Sequence, residues 1–169
     1  MKFEIIHNSV LNVKSDIIVN AANQFLEYGG GVCGAIFQKA GVDELTKECM
    51  KHKMVYPGSA VVTSGCNSGA KYIIHAVGPR YWADKEDWKI KLKSTYQKSL
   101  ELADELQVKT IAFPCVSTGI FGCPLHEASI IAMQTIANYQ AINIEVCYVC
   151  CYTQEEFNMY INNLKDIQL

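Results

Sequence analysis

Two short stretches carry residue types suited to holding a phosphate. The first, Asn20-Ala21-Ala22-Asn23, closes the apolar run Ile17-Ile18-Val19 and leads into Gly29-Gly30-Gly31. An apolar run ending in small polar residues reads as a buried strand whose C-terminal end opens into a site. Behind the glycines, Val32-Cys33-Gly34-Ala35-Ile36-Phe37 reads as the start of a helix. Glycines let backbone N–H groups approach an anion, and the helix dipole favours its negative charge. The second stretch, Ser117-Thr118-Gly119-Ile120-Phe121-Gly122, follows another apolar strand. Two such loops suggest a ligand with a diphosphate. Neither is followed by Lys-Ser or Lys-Thr, so a P-loop is absent and a triphosphate enzyme is set aside.

The elements that must position these loops alternate between strand and helix signals. Strands are expected at Lys2 to Ile6, Asp16 to Val19, Ser59 to Ser64, Tyr72 to Val77, Thr110 to Pro114 and Ile144 to Cys150. Between them, Trp88, Leu92, Tyr96, Leu100, Ala103 and Leu106 recur at helical steps, as do Ala128, Ile131, Ile136 and Tyr139. A last helix over about Gln154 to Leu164 is expected to bury Phe157, Tyr160 and Ile161. Gly41 sits where the first helix should stop, as a glycine C-cap does. Tyr81 to Asp87 reads as a surface loop. This alternation implies an α/β class chain, a three-layer α/β/α sandwich around a mostly parallel mixed sheet. Ligands of such sheets bind at the carboxyl ends of the strands, where both glycine loops fall.

Composition bounds the rest. A chain of 169 residues fills one domain, expected over 1–169, and half of it is hydrophobic. The net charge of −2 creates no field that draws nucleic acid or anionic lipid, so phosphate recognition falls to backbone N–H groups. No apolar stretch reaches membrane-spanning length and Met1-Lys2-Phe3-Glu4 lacks a signal-peptide pattern, so a cytoplasmic protein is expected. The eight cysteines are scattered through apolar runs and read as small buried hydrophobes. Cys147 and Cys150 have C-x-x-C spacing, but positions three apart on a strand face opposite sides, so no zinc site is expected there.

These blocks, with Gly34-Ala35-Ile36 and Ile74-His75-Ala76-Val77-Gly78-Pro79, resemble the macrodomain family of ADP-ribose-binding modules over nearly the whole chain. The resemblance implies ADP-ribose in a cleft across the sheet top. The Gly29, Gly30, Gly31 and Val32 loop would hold the distal ribose and its neighbouring phosphate. Ser117, Thr118, Gly119, Ile120, Phe121 and Gly122 would wrap the diphosphate. It also implies catalytic positions at Asn23 and Gly31, and ligand contacts at Ser9, Val10, Ala21, Cys33 and Tyr152. No cofactor or metal is implied. The expected partners are ADP-ribose or its derivatives and mono-ADP-ribosylated proteins.

Two positions depart from the family pattern. Cys33 stands where the deacetylase-like branch has an aspartate proposed to activate or orient water. An ordinary thiol is mostly protonated at neutral pH and substitutes poorly for a carboxylate base. Viral macrodomains that remove ADP-ribose from proteins look similar here, with alanine at this position. Ser9 stands where macrodomains usually carry an aspartate that accepts from the adenine amine. Lost charge there implies weaker adenine selectivity.

Single residues keep two readings. Asn23 orients ribose or water, or it satisfies backbone groups at the strand end, and the adjoining glycines favour the first. Asn20 leans towards a structural bond, and His75 reads as a hydrogen-bonded core residue. Phe121 serves as a lid over the ribose or as a core aromatic. Tyr152 stacks on adenine or caps its strand. His7, His52 and His126 show no triad or metal pattern. The leading function is therefore an ADP-ribosyl hydrolase or O-acetyl-ADP-ribose deacetylase, and the alternative is a non-catalytic reader of ADP-ribose.

Overall fold

The computed structural model describes residues 1–167. Its six strands, β1 (Lys2–His7), β2 (Ile17–Ala21), β3 (Ser59–Ser64), β4 (Tyr72–Val77), β5 (Thr110–Phe113) and β6 (Val146–Cys151), form one sheet in the order β1-β6-β5-β2-β4-β3. All neighbours are parallel except β3, which runs antiparallel to β4 at one edge. The helices are α1 (Gly31–Ala40), α2 (Val42–Cys49), α3 (Trp88–Glu105), α4 (Leu125–Asn138) and α5 (Gln154–Leu164).

Strand alternation divides the core into the two halves of the expected sandwich. Ile17, Val19, Ile74, Ile111, Phe113, Cys147 and Val149 pack with α3, α4 and α5. Ile18, Ile73, Ala112 and Cys150 face the other way, against α1 and α2. Successive strand residues point to opposite faces, so nearly continuous apolar runs serve both layers. Cys147 and Cys150 accordingly lie on opposite sides of the sheet. All eight cysteines are free, and no group of three metal-ligating side chains occurs among the described residues.

Several boundaries differ from expectation. α2 and a 3-10 helix at Val10–Asn12 were not foreseen. Gly41, at φ +99°, ends α1 by donating its N–H to the Phe37 carbonyl, and it also begins α2. On α5 the buried face runs through Tyr160 and Asn163, while Ile161 is 36% exposed. Asn163 donates to Ser129 Oγ at 2.7 Å, so a polar residue takes the buried place the apolar pattern assigned to Ile161. The Tyr81 to Asp87 segment is also more than a surface loop. Asp84 is buried there, accepting from the Arg80 N–H and the Lys91 ammonium, both at 2.8 Å.

Between the sheet and α1/α2 lies a buried polar cluster. Asn20 Nδ2 donates to His75 Nδ1 at 3.1 Å and contacts Cys33 Sγ at 3.6 Å. With Nδ1 accepting, Nε2–H donates to Thr63 Oγ1 at 3.0 Å, and the threonine hydroxyl donates onward to Ser64 O at 3.1 Å. His75 is the core residue expected. Burial pushes its pKa down to about 4. Because the unfolded imidazole binds its proton near 6.5 and the folded one near 4, stability is complete above that window and falls as pH drops through it. At about 1.4 kcal/mol per unit, the expected loss is about 3 kcal/mol. Urea titrations between pH 7 and pH 4 check this, and His75→Gln should flatten the dependence. An unchanged slope in that variant would remove His75 as the cause.

Candidate functional site

The α1 N-terminus is the electrostatic centre of the site. Gly30 caps it with no side-chain hydrogen bond, which leaves the first-turn N–H groups free for an anion. Gly34 makes this arrangement possible: a Cβ there would collide with the Gly29 carbonyl oxygen, so only glycine lets the loop fold onto the first turn. A cleft of about 870 Å³ opens above these groups. Gly29, Gly30, Gly31, Val32 and Cys33 line it beside Ala21 and Asn23, with Ser117, Gly119, Ile120 and Phe121 also contributing. The loops following β2 and β5 thus share one cleft, as strand order implied.

Ser9, Val10 and Tyr152 complete the expected set at the far end. Thr118 and Gly122, also expected to touch ligand, do not line the cleft. Thr118 turns its hydroxyl back to the Cys115 carbonyl at 3.2 Å, and Gly122 closes the turn onto the Gly119 carbonyl at 3.0 Å. They shape the loop instead. Lining residues not singled out from sequence include Gly78, Cys115 and Glu156. Gly78 could have been flagged by its place at the end of β4. It admits the Ser117 side chain, whose hydroxyl would collide with any Cβ there. Glu156 was hidden in the polar start of a helix, where a carboxylate reads as a cap.

The key side chains are held in defined states. Asn23 Oδ1 accepts from the Phe25 N–H at 3.0 Å and the Glu27 N–H at 3.1 Å, while Nδ2 makes no hydrogen bond among the described residues. The carboxamide therefore braces its own turn and keeps two N–H donors for the cleft. Asn20 is buried, which fits its structural reading, although its Oδ1 lacks a partner among the described residues. Cys33 is buried, and its thiol donates to the Glu27 carbonyl at 3.6 Å. Burial pushes the Cys33 pKa up, against the opposing hydrogen bonds of Asn20 and the Gly29 backbone. The thiol is neutral at pH 7. Ser9 Oγ accepts from the Leu11 N–H at 3.2 Å, capping the 3-10 helix.

Phe121 is half-buried, and its ring meets Trp82 edge-on at 6.1 Å. Its carbonyl accepts from the Tyr81 N–H at 2.8 Å, which ties the second loop to the segment after β4. Tyr152 is 75% exposed, with its ring free to receive a planar group. His7 stacks on Phe157 at 5.2 Å and His52 bonds the Val62 carbonyl at 3.0 Å, so neither enters the site. No lysine or arginine lines the cleft among the described residues. The donors the cleft offers an anion are therefore uncharged, backbone N–H groups foremost.

Comparison with known proteins agrees with this geometry. A family model described as Macro domain matches residues 19–132. A macro domain-containing protein of Methanosarcina mazei is 40% identical over 156 residues, covering 91% of this chain and 83% of its own. The Oceanobacillus iheyensis macrodomain with ADP superposes at a TM-score of 0.92 with 34% identity, covering 97% of this chain and 90% of that one. The Trypanosoma brucei macrodomain in complex with ADP-ribose does so at 0.84 with 31% identity, covering 96% and 68%. By sequence, by fold and by the placing of its two loops, the chain belongs to the macrodomain family.

Proposed function

We propose that the cleft binds ADP-ribose and that the protein hydrolyses it from mono-ADP-ribosylated protein carboxylates or removes the acetyl group of O-acetyl-ADP-ribose. The convergence of the uncapped α1 N-terminus and the Ser117 to Phe121 loop on one cleft carries this reading. The two backbone-donor loops take the diphosphate. Gly31 lets the distal ribose approach the backbone, and Asn23 Nδ2 orients it. A water between ribose and phosphate attacks the anomeric carbon or the acyl carbon. At the anomeric carbon the bond to the carboxylate oxygen breaks, the water's proton passes to a diphosphate oxygen of the ligand, and the carboxylate, a weak base, leaves without a general acid. At the acyl carbon the ester C–O bond breaks and the departing ribose oxygen takes up the water's proton. Ester linkages therefore suit a site whose thiol is neutral. The eight free thiols support a reducing, cytoplasmic setting, and two core layers flanking one sheet support a single domain over 1–169.

The alternative, a reader that binds without turnover, is favoured by the raised Cys33 pKa, which removes the nearest candidate base. Incubation with mono-ADP-ribosylated protein and with O-acetyl-ADP-ribose decides between the two by product release. Turnover of either establishes the enzyme, and binding without turnover establishes the reader. Cys33→Ala should retain most activity, within about threefold, because an un-ionised thiol contributes little as a base. Loss of turnover in that variant would assign the chemistry to the thiol.

A further inference from the structure

Glu156 is the one formally charged side chain lining the cleft among the described residues. It occupies the third position of α5 and is half-buried. Its Oε1 accepts from the Tyr152 N–H at 3.0 Å and the Thr153 N–H at 2.9 Å, while Thr153 Oγ1 accepts from the Glu156 N–H at 3.1 Å. This reciprocal capping box locks the carboxylate in place. Oε2 makes no hydrogen bond and the group makes no ion pair among the described residues. A held, half-buried carboxylate with one idle oxygen is an acceptor without a donor. Leaving such a group unpaired on ligand binding is costly.

The cleft also has a direction. Across the strand order β6-β5-β2-β4, the chain after each strand supplies Tyr152 to Glu156, the Ser117 loop, the Gly29 loop and Gly78 in turn. Anion-binding backbone lies over β5 and β2, and the carboxylate lies over β6. Negative charge at that end repels phosphate and so opposes a reversed ligand. Ser9, which follows β1 beside β6 at the same end of the cleft, offers only a neutral hydroxyl oxygen that already accepts from Leu11. Tyr152, whose N–H Glu156 holds, offers an exposed ring next to the carboxylate.

Building on the ADP-ribose reading above, we propose that Glu156 is the specificity residue for the base, its free oxygen accepting from the exocyclic amine of an adenine laid on Tyr152. A carboxylate only accepts at neutral pH, so a base edge with an N–H satisfies it and one without leaves the charge unpaired. Bonds to charged acceptors are roughly twice as strong as neutral ones. The carboxylate thereby does the work that the neutral Ser9 cannot.

Calorimetry with ADP-ribose and with etheno-ADP-ribose, whose exocyclic nitrogen carries no N–H, tests this on wild type and Glu156→Gln. Glutamine keeps the capping box through its amide oxygen and replaces the free acceptor with a donor. Unchanged thermal unfolding of the variant verifies that point. Wild type should prefer ADP-ribose by about 10-fold, and the variant should lose about 10-fold for ADP-ribose while holding the etheno analogue within about twofold. Undiminished ADP-ribose affinity in the variant, or equal losses for both ligands, overturns the assignment and leaves the ADP-ribose reading intact. Failure of the wild type to bind ADP-ribose overturns both.

Discussion

Asn23→Ala is expected to lower turnover roughly 100-fold while ADP-ribose affinity falls only severalfold, because misplacing reacting atoms by about 1 Å costs far more in rate than one hydrogen bond costs in binding. The structure divides the carboxamide between two tasks. Its oxygen ties down Phe25 and Glu27, and its nitrogen has donors to spare for the ribose. Alanine removes both, so a companion variant separates them. Asn23→Asp keeps the acceptor that braces the turn, loses the donor and adds a negative charge, so its affinity also reports repulsion of the diphosphate. It should unfold near the wild-type temperature yet turn over as poorly as alanine. Single-turnover release of ADP-ribose, beside calorimetric affinity, reads the two effects apart. If affinity fell as far as turnover in both variants, Asn23 would be a binding residue and its catalytic role would be lost.

Gly34→Ala should abolish tight binding although Gly34 itself does not line the cleft. Its Cβ would occupy the place of the Gly29 carbonyl oxygen, and that backbone cannot retreat without carrying Gly30 and Gly31 along. Overpacking of this kind costs about 1–3 kcal/mol. Here the strain falls on the loop that presents the anion-binding amides. ADP-ribose affinity should drop at least about 10-fold, with a modest fall in thermal stability from the same displacement. Wild-type affinity in this variant would mean that the Gly29 to Gly31 loop is not the phosphate-side wall.

Much of this arrangement was legible because buried parallel strands announce themselves. β4, parallel to β2, spans the expected Tyr72 to Val77, the antiparallel edge strand β3 spans the expected Ser59 to Ser64, and α3 follows its Trp88 to Ala103 stripe. α2 escaped notice because Leu45 and Cys49 are its two buried residues, one helical step in an otherwise polar segment. A glycine that ends one helix also gave no sign of beginning another. Asp84 and Asn163 misled for a different reason. Polarity signals solvent only on average, and each of these side chains finds enough partners to satisfy it inside.

At the site, the loops could be read from glycines and small residues, whereas the division of labour within them could not. Thr118 lies between residues that line the cleft, yet its hydroxyl faces the loop's own backbone. Glu156 was invisible for the converse reason, since its sequence context explains it fully as a helix cap. One oxygen does that work and the other is idle. Only coordinates separate two oxygens of one side chain.

The pairing of β1 has a consequence for how the protein is made. β1 lies at the sheet edge with β6 as its one neighbour, and Lys2 stands opposite Val146. A nascent chain thus leaves Phe3 and Ile5 on an unpaired strand until β6 has emerged, while β2, β4 and β3 are free to associate earlier. Contacts between such distant segments close slowly, and unpaired apolar edges invite aggregation until they do. The wall bearing Tyr152 and Glu156 emerges with the same late segment. Ribosome-bound chains halted before β6 should therefore bind ADP-ribose far more weakly than released protein, because the wall of the cleft over β6 is completed only after both backbone-donor loops have been made.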